Sequence, residues 1–169
     1  MQTIHTIELL GSSQEEQLPG FSPDFPYIAT RAELEQYPHP VIPWHWHPAV
    51  ELFLLESGTL EYTTPAGTVV FSAGSGGFVN AGLLHTSRPL PAEGPTVQLI
   101  HLFLPELISG SAAGRIDSKY IRPLLRSGNA GLLALTPAQP QQAAILQRSA
   151  PPSIWTKASG AMSWHCGRP

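Results

Sequence analysis

An all-β fold, a sandwich or barrel built from short strands, is what the sequence predicts, and three observations carry it. Turn formers abound, with 18 Pro and 15 Gly among 169 residues, while Lys and Glu are sparse. From residue 44 onward the chain repeats strand, turn, strand at short intervals, the rhythm of a β-sandwich or barrel. Residues 96–104 then supply the most convincing strand of all, with Val97, Leu99, His101 and Phe103 on one parity and Gln98, Ile100, Leu102 and Leu104 on the other.

Taken in order, residues 1–26 read as an arm or edge strand followed by a loop, since a short apolar piece (4–10) precedes a polar, Gly/Pro-bearing stretch. Residues 27–30 form a strand, and 31–37 fit a strand or a helical turn. Residues 39–43 are extended, because a residue before proline is pushed out of the helical region. Residues 51–56 run as a strand into Ser57 and Gly58, and 59–63 alternate Leu60 and Tyr62 against Thr59 and Glu61. Residues 64–67 make a Pro/Gly turn into a strand at 68–71. Three glycines in 72–77 demand a sharp bend before strand pieces at 77–80 and 84–85.

Residues 88–95 hold three prolines and a glycine and read as a loop. Beyond Pro105, a small-residue stretch (109–114) leads to a short helix or turn over 117–125, with 127–130 as a stop and 132–135 as a final strand. Thr136 and Pro137 suit the N-cap and first position of a helix through Arg148. The domain plan is therefore an arm (1–26), a barrel (27–135), a helix (136–148) and an irregular tail (149–169). We read that tail as out-of-frame or otherwise degenerate sequence, since no period survives Pro151 and Pro152.

The chemistry gathers on residues 43–58, where His45, His47 and Glu51 form the pattern H-x-H-x-x-x-E, followed after six intervening residues by Gly58. In one continuous strand their even spacing puts all three side chains on one face. The unbroken apolar run 52–55 marks that strand as buried. Two imidazoles and a carboxylate facing inward need a partner, either a divalent metal or a polar small molecule. Trp44 and Trp46 have the opposite parity and read as packing or interface residues. The segment 74–85 adds His85 as a fourth candidate ligand.

Composition excludes several classes. The net charge is −3 and the nine Lys and Arg form no cluster, so there is no electrostatic footprint for nucleic acid. The single Cys166 rules out an internal disulfide framework and a cysteine-built zinc site. No apolar run reaches the ~20 residues of a membrane span, and the first residues lack a signal pattern. The expectation is a cytoplasmic protein.

The two stretches resemble the paired motifs of the cupin superfamily. The first matches G-x5-H-x-H-x(3,4)-E-x6-G at His45, His47, Glu51 and Gly58, with His39 in place of the opening glycine. The second matches G-x5-P-x-G-x2-H-x3-N at Gly74, Gly82 and His85, with Asn80 for the proline and Pro89 for the asparagine. Over residues 25–148 the chain is more specifically similar to the N-terminal sensor domain of AraC-type transcriptional regulators: Gly74, Phe78, Asn80 and His85 fit its G-D-x-x-F-x-N-x-x-x-x-H stretch, with Ser75 for the Asp. The piece at 120–125 followed by a helix also fits.

What the resemblance implies is a double-stranded β-helix, a jelly-roll barrel of two facing antiparallel sheets with one or two helices after it. Its pocket would take a small-molecule effector, and its helices would form a homodimer. The DNA-binding half of such regulators would not fit in the 21 residues after Arg148, so no direct nucleic-acid binding is expected of this chain, and no membrane partner. His45, His47, Glu51 and His85 offer three nitrogens and one oxygen, a donor set for Zn, Ni, Fe or Mn. The bland alternative is a metal-free polar network. Tyr62, His101 and Phe103 are further pocket candidates, each with a core-packing reading beside it. A metal-dependent cupin enzyme of dioxygenase or isomerase type is the alternative function, and a folded but non-functional remnant is the third.

Overall fold

A computed structural model describes residues 1–22, 24–39, 41–110, 113–126 and 131–150. Among the described residues are twelve strands: β1 (Gln2–Ile4), β2 (Glu8–Leu10), β3 (Glu15–Gln17), β4 (Tyr27–Glu33), β5 (Ile42–His45), β6 (Val50–Ser57), β7 (Thr59–Thr64), β8 (Gly67–Ser72), β9 (Gly76–Val79), β10 (His85–Leu90), β11 (Val97–Phe103) and β12 (Leu132–Leu135). The described residues also form α1 (Glu106–Ser109), α2 (Arg122–Arg126) and α3 (Pro140–Ser149), with a 3-10 turn at Leu34–Gln36. A π-helical turn, Asp117–Ile121, leads directly into α2.

The strands form two main sheets, one ordered β1-β4-β11-β6-β9-β12 and the other β5-β10-β7-β8, with β2 and β3 as a separate hairpin. Among the described residues the pairings between these strands are antiparallel except β1 on β4, and a parallel bridge joins Glu15 to Trp46. The all-β jelly-roll barrel with a following helix, anticipated from the turn-rich composition and the paired motifs, is the fold observed.

The core lies between the sheets, where Phe53 and Leu55 of β6 meet Leu60, Tyr62 and Phe71 from the facing sheet. Burying such side chains stabilises by about 1.5–3 kcal/mol each. The opposite face of β6 is buried too, because Leu54 packs with Leu99, Leu135 and Leu146 beneath α3. Burial on both faces explains why residues 52–55 are continuously apolar instead of alternating. Glycines at 76 and 77 let β9 approach β6: a Cβ at Gly76 would sit 2.0 Å from the Phe53 carbonyl oxygen.

Several local expectations shift. Residues 88–90, read as loop, extend β10, and Pro89 is tolerated because pairing with β5 ends at Ser87 and leaves no partner there for a missing N–H. The helix after the barrel starts at Pro140, not at 136: the Thr136 hydroxyl accepts from the N–H of Ala138 in a turn, and Gln139 occupies the cap position. The short α1 was not foreseen. The degenerate-tail reading (149–169) falls, beyond Ala150, outside the described residues, as does the stop at 127–130.

Candidate metal centre

Three strands from both sheets and one connecting segment build the site. His45 ends β5 and His85 begins β10, and these are direct cross-strand partners, which places their ring centroids 4.1 Å apart. His47 lies in the segment that carries the chain from one sheet to the other, anchored where its carbonyl accepts from the N–H of Gly82 at 2.8 Å. Glu51 belongs to β6 in the other sheet, opposite Leu102 and Val79. The single-strand parity reading thus reaches the right convergence by the wrong route, since the chain crosses between sheets within residues 46–49. All four side chains are buried.

The imidazoles are oriented identically. Nδ1 of His45, His47 and His85 contacts the carbonyl oxygens of Pro43, Ala49 and Leu83, each at 2.8 Å. A carbonyl only accepts, so Nδ1 carries the proton and in a neutral ring Nε2 presents a lone pair. At His47 burial disfavours a second proton, but the bond to Glu51 and the nearby carboxylates outweigh it and raise the pKa, so in the metal-free site Nε2 donates to the Glu51 carboxylate. The three candidate ligand atoms lie within 4.8 Å of one another. Glu51 Oε2 stands 3.4 Å from His47 Nε2 and 3.9 Å from His85 Nε2. Buried His85 Nε2 has no hydrogen-bond partner, a costly orphan for a native interior. Three imidazole nitrogens and a carboxylate converging on one buried place fit a divalent cation, and carbonyl-bound Nδ1 groups are the outer support that fixes metal-ligating histidines.

Of the other pocket candidates, Tyr62 is at the site. Its hydroxyl donates to Glu51 Oε1 at 3.4 Å and its ring stacks on His85. His101 and Phe103 are not at the site. The cavity side of β11 is its even parity, Gln98, Ile100 and Leu102. His101 turns to the opposite face, where Nδ1 accepts from the Tyr27 hydroxyl at 2.8 Å and Nε2 donates to the Ser149 carbonyl at 2.7 Å. It is a satisfied structural histidine joining β4, β11 and the end of α3.

One residue escaped the sequence reading. Glu16, on β3 of the arm, enters the site with a side chain only 10% exposed and its Oε2 3.8 Å from His45 Nε2. Nothing in its neighbourhood along the chain announces this role. The arm docks through Trp46, whose N–H donates to the Gln14 carbonyl at 3.0 Å, whose carbonyl accepts from the Glu16 N–H at 2.8 Å, and whose indole N–H donates to the Ser13 carbonyl at 2.9 Å. Trp46 as an interface residue is thus accounted for; Trp44 remains on the outside of β5, 38% exposed.

A cavity of about 40 Å³ lies among His45, Glu51, Tyr62, His85 and Glu16, room for an ion with one or two waters at roughly 10–15 Å³ each. A second, of about 200 Å³, lies beneath the arm and shares Ile4, Ile7, Glu16, Thr30 and Leu102 with the first. The buried Thr30 hydroxyl at their junction has no partner.

Electrostatics set opposing demands. Burial, then the neighbouring His85, hold His45 down to about 3. Burial pushes Glu16 up to about 7, with His47 opposing and Glu51 reinforcing. For Glu51 burial acts upward, but its bond to His47 and the three imidazoles keep its pKa below the usual carboxylate value. Burial also depresses His85. An unfolded His45 takes up a proton below about 6.5 and the folded one does not until about 3, so its contribution to stability falls over that window as pH drops. Glu16 has the opposite sense, gaining as pH falls from about 7 and complete below 4.5. The metal-free protein therefore loses stability as pH falls below about 6.5, where two depressed histidines outweigh Glu16. The loss is steeper below 4.5, where Glu16 no longer compensates and the depressed Glu51 also takes up a proton, by about 1.4 kcal/mol per pH unit for each uncompensated group. Urea titrations in chelator at pH 4.5 and 3.5 check this, and equal midpoints would count against the assignment.

No protein-family model matches the chain, and no curated protein matches it. Solved structures do. A cupin-2 domain protein from Shewanella frigidimarina is 20% identical over 47% of this chain and 71% of its own, at TM-score 0.35. ToxT from Vibrio cholerae is 10% identical over 77% of this chain and 47% of its own, at TM-score 0.48. A variant of oxalate decarboxylase from Bacillus subtilis is 16% identical over 54% of this chain and 32% of its own, at TM-score 0.33. The chain spans half or less of the latter two. Sheets and site together define a cupin-fold chain whose buried His45, His47 and His85, with Glu51, could hold a metal. No helix among the described residues is long and apolar enough to cross a membrane.

Proposed function

We propose that this chain is a small-molecule-sensing and dimerisation domain of the AraC regulator type, with a divalent metal held by His45, His47, Glu51 and His85. The observation that carries the metal is the common orientation of the three imidazoles, each Nδ1 bound to a carbonyl and each Nε2 aimed inward. The metal supplies a Lewis-acidic position for an anionic or carbonyl-bearing ligand. The chain's own residues do the rest. Tyr62 holds Glu51 in place, and the partnerless Thr30 hydroxyl offers a hydrogen bond to a ligand entering from beneath the arm. Occupancy would bear on β11, whose even residues line the cavity and whose His101 grips the end of α3. A homodimer through the helical side is supported by the exposed Leu107, Ile108, Ile116 and Tyr120.

A second reading, a metal-dependent enzyme, is favoured by Glu16 and Tyr62, two proton-carrying groups inside the cavity. One experiment separates the two. Protein loaded with zinc, then with ferrous iron, is screened against small organic acids by thermal shift, with oxygen uptake and product formation followed in parallel. Sensing predicts ligands that raise the melting temperature of the metal-loaded form without being consumed. Turnover of any of them would transfer the proposal to the enzyme reading.

A further inference from the structure

The arm supplies a carboxylate that neither cupin motif contains. Glu16 Oε2 lies 3.8 Å from His45 Nε2, a separation close to that of Glu51 Oε2 from His85 Nε2, 3.9 Å. Among the described residues no hydrogen-bond donor reaches the Glu16 carboxylate. Its neighbours at the cavity include the inward-turned Nε2 of His45, the orphaned Nε2 of His85 and the Glu51 carboxylate. Two buried carboxylates set on the same group of imidazoles disfavour one another's charged form unless a cation stands between them. Among the described residues the β2–β3 hairpin is held there by three hydrogen bonds to Trp46, the residue between the ligands His45 and His47. Gln14, which accepts one of those bonds, adopts a left-handed φ of 58°, a conformation that a non-glycine residue holds only under constraint.

We propose that Glu16 is a fifth protein donor to the metal, so that cation binding clasps the β2–β3 hairpin over the barrel mouth. This rests on the metal reading of the preceding section. Donors at about 2.1 Å from an ion stand roughly 3–4 Å apart; Glu16 to His45, Glu51 to His47 and Glu51 to His85 already fall in that range. An ion would draw each carboxylate toward the remaining imidazoles, since only the three histidines now lie within 4.8 Å of one another. Five donors also balance charge: two carboxylates neutralise a divalent ion, where Glu51 alone leaves a net positive charge in a buried place. The hairpin and the ion are then linked, each favouring the other by the same factor.

The test uses cobalt(II) as probe on the full chain, comparing wild type with Glu16→Gln and Glu16→Asp. Cobalt affinity is read by titration of its visible absorption, whose intensity reports coordination number. Arm docking is read by the rate at which a broad-specificity protease cuts residues 11–14. The expected result is one cobalt per chain, weakened about 10- to 100-fold by Glu16→Gln, with a more intense spectrum as a donor is lost. Cobalt slows cleavage in wild type by at least that tenfold and leaves the Gln variant unprotected, while Glu16→Asp falls between. Equal affinity, spectrum and protection in wild type and Glu16→Gln would overturn Glu16 as a donor while leaving the His45, His47, Glu51, His85 site standing. A wild type that takes up no cobalt would overturn that site, and the clasp with it.

Discussion

Zinc at a hundred times its dissociation constant raises the melting temperature of the metal-free protein by about 5–10 °C, and His85→Phe erases the response. Mass action at that excess stabilises the folded form by about 2.7 kcal/mol, and a chain of 169 residues shifts by roughly 2–4 °C per kcal/mol. The substitution removes one of three nitrogens from a site whose remaining donors are no closer than 3.4 Å to one another. Its effect on the metal-free form has the opposite sign. His85 Nε2 is a buried acceptor without a donor, and an orphan of that kind costs about 1–3 kcal/mol. Phenylalanine removes the orphan, fills similar space against Tyr62, and leaves only the Leu83 carbonyl short of a partner, at about 1 kcal/mol. The metal-free variant therefore melts at or above the metal-free wild type. Calorimetry with and without zinc reads both numbers. A variant that lost stability in chelator and kept its zinc response would show His85 to be a packing residue and not a ligand.

That opposition is what a binding site leaves in a sequence, and it explains what was legible. His45, His47, Glu51 and His85 stood out because polar residues interrupt strands that are otherwise apolar, and their spacing follows sheet geometry. The meeting of His45 with His85 was a matter of β5–β10 register, which only a motif resemblance could suggest across forty residues. The parity argument for Glu51 succeeded although His45 and Glu51 occupy different sheets, because the crossing between them happens to preserve an inward direction. Glu16 was invisible for a physical reason. Its position depends on backbone hydrogen bonds to Trp46, and backbone groups are the same at every residue. His101 was ambiguous since one strand with two buried faces gives no sign of which face holds the cavity. The facing residues α3 and Tyr27 decide it, and both come from distant segments. Loop against strand at 88–90 turned on the length of β5, which composition does not encode.

Gly58→Ala unfolds or nearly unfolds the protein, at a cost above about 4 kcal/mol, a fall of roughly 8–16 °C or more in melting temperature. Gly58 is the last matched position of the first motif and turns the chain from β6 into β7 at a φ of +81°. A Cβ there would sit 2.5 Å from the Thr96 hydroxyl oxygen and 2.6 Å from Thr96 Cα, which is backbone and cannot rotate away. Nor can Thr96 move as a unit. Its N–H donates to the Glu35 carboxylate at 2.8 and 3.0 Å, its carbonyl accepts from the Leu34 N–H at 3.0 Å, and it is fully buried. Thr96 leads directly into β11, whose Gln98, Ile100 and Leu102 wall the cavity and whose Leu102 faces Glu51 in register, so a shift here carries into the site. Gly74→Ala is the control. That glycine has a comparable φ of +84° but nothing within 4 Å of an added Cβ, so it reports left-handed strain alone, about 1–2 kcal/mol. Denaturation of the pair in parallel separates contact from conformation. If the two alanine variants were equally stable, Gly58 would be required only for its dihedral angle, and the close approach to Thr96 would play no part in holding β11 where the site needs it.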